Sequence, residues 1–123
     1  MASKNSQSET IKEAVTAATR AISGNKELEI NFGGMGSSLP HPPKTLKELS
    51  AYRGKADSLA CVEKYRDKSV RIASNNEKVN SLIKVMEDSR VEILGSMNYP
   101  GIATNIKSKF DDKCKLYESF EVH

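Results

Sequence analysis

The chain has 123 residues, enough for one domain with one core. It has no Trp, three Phe and four Tyr, so its core must come mainly from Leu, Ile, Val, Ala and Met. A net charge of +3, with Lys and Arg mixed among Asp and Glu, argues against a nucleic-acid face; the longest basic stretch, Lys107 to Lys115, itself holds Asp111 and Asp112.

Met1 to Ser8 is polar and lacks the apolar run of a secretory signal. No segment approaches the ~20 apolar residues needed to cross a bilayer. The expected location is therefore the cytoplasm. Residues 1–8 read as a disordered tail and residues 9–123 as a single helical domain. Three segments then carry a capping-box pattern: Thr10 to Glu13, Thr45 to Glu48 and Ser74 to Glu77. A first helix is expected from Thr10 to Ser23, with Ile11, Val15, Ala18 and Ile22 on one stripe and Gly24 as its stop.

Leu28 to Phe32 alternates as a strand does, Gly33 to Gly36 reads as a turn, and Ser37 to His41 as a return strand before Pro42 and Pro43. A second helix is expected from Leu46 to Asp67 or beyond, buried through Leu49, Tyr52, Ala56, Leu59 and Ala60. The third spans Asn75 to Leu94, with Val79, Ile83, Met86 and Ile93 as its stripe and Gly95 as its end. After a turn at Asn98 to Gly101, a fourth helix carries Ala103, Ile106, Phe110, Cys114 and Tyr117. The expected fold is mainly α: about four helices in an irregular bundle, with one small β-hairpin near residues 28–41.

The candidate chemical sites each lack a part. Gly34 to Leu39 supplies G-x-G-x-x without the third Gly, without a Walker Lys, and with prolines where a phosphate-binding helix should open. Asp67-Lys68-Ser69-Val70-Arg71 places a cation where D-x-S-x-S needs a hydroxyl ligand. Cys61 and Cys114 form no C-x-x-C pair, and His41 and His123 are the only imidazoles, which leaves neither a metal set nor a nucleophile–base pair. One constellation is sharper. At about 100° per residue Arg90 falls near the centre of the third stripe, between Met86 and Ile93. A guanidinium there needs a partner: Asp57 or Asp67 across from the second helix, or Glu87 three residues before it. The reading favoured is a structural ion pair; the other is a docking site or switch.

The run Arg53-Gly54-Lys55-Ala56-Asp57, the run Glu87 to Gly95 as E-x-x-R-x-E-x-x-G, and Gly101 to Asn105 as G-x-x-x-N keep a fixed order and spacing. Upstream, Leu28 to Gly33 reads L-E-x-x-F-G. From Ile11 to Ile106 the chain resembles the N-terminal region of the CobT subunit of aerobic cobaltochelatase. The family shows H-D and a second His where this chain has Arg66-Asp67 and Arg71, so no metal is expected through those imidazoles.

The resemblance implies a role in cobalamin biosynthesis, as a docking piece of a longer subunit that continues to a von Willebrand factor A-like domain. Its implied partners are a CobS-like AAA+ subunit and a CobN-like large subunit that binds hydrogenobyrinic acid a,c-diamide. No cofactor is expected in this domain; cobalt, ATP and Mg act elsewhere in the complex. Arg53, Gly54, Asp57, Asp67, Glu87, Arg90, Glu92, Gly95, Gly101 and Asn105 are the motif positions, expected to serve structure or interface. The alternative is a standalone helical adaptor unrelated to corrin chemistry.

Overall fold

The computed structural model describes residues 4–66 and 74–121. Four α-helices are found there: α1 (Lys4–Ser23), α2 (Leu49–Tyr65), α3 (Glu77–Asn98) and α4 (Pro100–Glu121). The mainly helical expectation holds. The β-hairpin does not, because no strand forms among the described residues. A single parallel bridge joins Phe32 to Leu39, with Gly33 N donating to Leu39 O at 2.7 Å and Leu39 N to Asn31 O at 3.0 Å. Gly33, Gly34 and Gly36 all adopt positive φ and curl the chain into a loop. Pro40, Pro42 and Pro43 then remove the amides a return strand would donate. The alternation itself is real: Leu28, Ile30 and Phe32 are half-buried while Glu29 and Asn31 are exposed.

The helix starts also differ from expectation. α1 begins at Lys4 and takes in residues 4–8, because nothing between Lys4 and Thr10 breaks a helix. Thr10 thus lies inside the helix rather than capping it. Thr45 makes no side-chain cap bond to the 3-10 turn Leu46–Glu48 that precedes α2. For α3 the cap is Asn76, whose side chain accepts from Lys78 N at 3.0 Å; Ser74 Oγ accepts instead from Asn76 N.

α2 is the central element. Its buried residues, Tyr52, Gly54, Ala56, Asp57, Ala60 and Cys61, are mostly small, which lets neighbours approach closely on several sides. Towards α1 and the loop it packs Tyr52 and Ala56 with Val15 and Leu39, flanked by Ile11, Ile30, Phe32 and Leu59. Tyr52 OH ties the loop down by donating to Pro40 O at 2.8 Å. Towards α3 and α4 it packs Cys61 with Val91 and Ile102, flanked by Ile22, Val62, Tyr65, Tyr99 and Ile106.

Two stripes face elsewhere than expected. On α3 the buried residues are Val91 and Gly95, whereas Val79, Met86 and Ile93 are exposed. Gly95 does not end the helix; α3 runs on to Asn98. On α4, Ile102 is buried and Asn105, Ile106, Ser108 and Lys109 are half-buried, while Ala103, Phe110, Cys114 and Tyr117 are exposed. Residues 110–118 are exposed without exception, so this half of α4 extends beyond the packed body. Among the described residues, no helix is long and apolar enough to cross a membrane.

Candidate functional site

The motif positions converge on the contacts between α2, α3 and α4. Gly54 comes first because it sets the distance. A Cβ on it would lie 2.2 Å from the backbone oxygen of Asn105 and 2.8 Å from Lys109 Cβ, so α4 rests directly on the α2 backbone. That approach brings Asn105 Nδ2 to 2.8 Å from Asp57 Oδ2, to which it donates. On the same face Ser50 Oγ donates to Ser108 Oγ at 2.8 Å. Asp57 is buried to 2 % exposure. Burial pushes its carboxyl up, while the Asn105 hydrogen bond and the charge of exposed Arg53 pull against that shift.

Lys109, one turn after Asn105, and Ser58, one turn after Gly54, meet Glu92 in a closed triangle. Lys109 Nζ sits 2.7 Å from Glu92 Oε1 and donates to Ser58 Oγ at 2.8 Å; Ser58 Oγ donates to the same Glu92 oxygen at 2.8 Å. It pins α2, α3 and α4 together. A nucleophilic serine needs a base that accepts its proton. Here the lysine donates to Ser58 and the serine proton is directed at Glu92, so the triangle acts as a brace.

Gly95 plays the part on α3 that Gly54 plays on α2. A Cβ there would lie 2.2 Å from Cys61 Sγ. The Cys61 thiol is pushed up to about 11, by burial first and then by the carboxylates of Asp57 and Glu92. It is a neutral packing group at physiological pH. His41 lies elsewhere, with its ring against Gly33 in the loop.

Arg90 faces outward and bonds Glu87 and the Tyr65 carbonyl, the latter at 2.8 Å. The local partner Glu87 is thus engaged, and among the described residues no Arg90–Asp57 pair forms; Asp57 is held by Asn105 instead. Arg90 also places a cation at the C-terminal end of α2, where the helix dipole favours it. The corner is closed by Lys64 Nζ donating to Tyr99 OH and by Asn98 Nδ2 donating to Tyr65 OH, both at 2.9 Å. Gly101 is exposed, and a Cβ there would meet nothing within 4 Å. Asp67 and the D-x-S-x-R segment lie outside the described residues. Among the described residues no cluster of His, Cys, Asp or Glu is placed to hold a metal ion.

Sequence reasoning missed Ser50, Ser58 and Lys109. Their signal is spacing: Ser58 follows Gly54 by one turn and Lys109 follows Asn105 by one turn, so both repeat the motif's own faces. It also missed the outer apolar face of α3 and α4. Leu82, Val85, Met86, Ile93 and Phe110 are each about 60 % exposed and Met97 is 77 % exposed. Ile93, Met97, Ile106 and Phe110 line a shallow groove between the two helices.

A polar seam inside and an apolar face outside define a helical packing module. The chain matches the family described as cobalamin biosynthesis protein CobT over residues 5–122. It belongs to that family, whose name assigns it to cobalamin biosynthesis. No solved structure matches the chain.

Proposed function

We propose that this chain is a docking domain of a cobaltochelatase subunit, acting in the cytoplasm beside a CobS-like AAA+ partner. The complex supports ATP-driven cobalt insertion into hydrogenobyrinic acid a,c-diamide, a corrin substrate carried by a CobN-like large subunit. Cobalt, ATP and Mg act elsewhere in that complex, and the domain holds the assembly or passes on motion.

The observation that carries the reading is the outer face of α3. Val79, Leu82, Met86 and Ile93, with Ser89 at the remaining position, follow the alternating three- and four-residue spacing of a coiled-coil seam, and all four apolar side chains are exposed. Phe110 adds an aromatic at its edge. Apolar surface of this kind marks protein contact sites, and the spacing suits a partner helix.

The test is calorimetric titration of the chain with the AAA+ subunit. The double substitution Met86→Ser with Ile93→Ser should weaken binding about tenfold or more, as loss of central apolar anchors does. Unchanged affinity in that variant, or no association of the native chain with either partner, overturns the docking role.

A further inference from the structure

A cleft opens between α2 and α3, bordered at one end by the Ser58–Glu92–Lys109 triangle. It encloses about 500 Å3, within the range of small-molecule sites, roughly 300–1,000 Å3. It is open because α3 meets α2 through its C-terminal half: Val91 and Gly95 are buried, and no residue from Glu77 to Arg90 is. Its floor is apolar, made of Leu59 and Val62 from α2 and Ile83 and Val91 from α3.

The charges around it do not cancel. Each of its carboxylates has a cation: Glu92 has Lys109, Asp88 has Lys84 and Glu87 has Arg90. Lys55 and Arg66 also line the cleft, and among the described residues neither forms an ion pair. Eleven residues apart in the sequence, they fall on the same side of α2, about 16 Å apart along its axis at the helical rise. A cation thus stands towards each end of an apolar floor.

We propose that this cleft binds a small amphiphilic anion, with an apolar body on Leu59, Val62, Ile83 and Val91 and anionic groups held by Lys55 and Arg66. The inference is independent of the docking reading, since Ile83 and Val91 line the cleft and Met86 and Ile93 do not.

The probe is 8-anilinonaphthalene-1-sulfonate, an aromatic body with one sulfonate, titrated by fluorescence into the full chain beside its uncharged relative N-phenyl-1-naphthylamine. Native protein should bind the sulfonate saturably. Lys55→Gln with Arg66→Gln should weaken it about two- to fivefold, the effect of the one exposed charge contact that a single sulfonate makes, and leave the neutral probe unchanged. Ile83→Glu, with folding checked by circular dichroism, should expel both probes. Met86→Ser with Ile93→Ser should leave both bound. The proposal is overturned if the native chain shows no saturable binding, if the lysine–arginine variant binds the sulfonate as tightly as native, or if the outer-face variant loses it.

Discussion

The inner face of α4 and the outer face of α3 invert the usual distribution of side chains. Where α4 meets α2, Gly54, Asp57 and Ser58 face Asn105 and Lys109, with Glu92 of α3 joining them, most of them polar and all at least half-buried. Where α3 faces away from the body, Leu82, Met86, Ile93 and Met97 stand in the open. A polar contact is tolerated inside because each group is satisfied: Asp57 by Asn105, Lys109 and Ser58 by Glu92. The apolar face outside has no such internal account, and its use is sought in a partner. Stability is thus assigned to the seam and association to the outer face, and each assignment can be broken separately.

The largest effect is expected in the triangle. Glu92→Ala leaves the half-buried Lys109 ammonium without its carboxylate and Ser58 without its acceptor. The loss should be about 2–3 kcal/mol in denaturant unfolding, below the ~3–5 kcal/mol of a fully buried pair because the side chains remain partly exposed. Next is Gly54→Ala. Alanine favours a helix, but its Cβ would fall 2.2 Å from the Asn105 backbone oxygen, so α4 must shift. A net loss of about 1–3 kcal/mol is expected; a gain would mean that α4 does not rest on Gly54.

The Asp57 effect is smaller and appears as a pH dependence. Burial raises its carboxyl pKa in the folded state, so the folded chain keeps this proton to a higher pH than the unfolded chain does. The stability it contributes is complete below the unfolded value of about 4 and is lost as pH rises through the raised value. Asp57→Asn is nearly isosteric and cannot ionise. Its stability relative to the native chain should therefore rise between pH 4 and pH 7, measured by thermal unfolding at matched pH. A relative stability that falls over that range would contradict a raised carboxyl.

Helical periodicity made the existence of all four helices legible, since each carries apolar residues at helical spacing. It did not reveal which way α3 and α4 face. A count of large apolar residues selects Val79, Met86 and Ile93, but α3 packs through Val91 and Gly95, and a glycine adds nothing to such a count. On α4 the packed face is Ile102, Asn105, Ile106 and Lys109, half of it polar, because its counterpart on α2 is a glycine beside a buried aspartate. The hairpin failed for one reason the sequence shows and one it does not: Pro40, Pro42 and Pro43 lack the amides of a return strand, and the run of positive φ at Gly33, Gly34 and Gly36 curls the chain into a loop. The family motif was the most informative signal. Gly54 with Asn105, Asp57 with Asn105, and Glu92 with its lysine are distant in the chain and meet in the fold. Among the described motif positions Gly101 is an exception, and nothing in the structure explains it.

The division between seam and outer face is tested most directly by amide hydrogen exchange, recorded with and without the AAA+ subunit. Association through the outer face should slow exchange in α3 over residues 82–97 and around Phe110, while α1 and the loop at residues 25–45 exchange as before. Protection confined to α1 or to that loop, with α3 unchanged, would contradict the account.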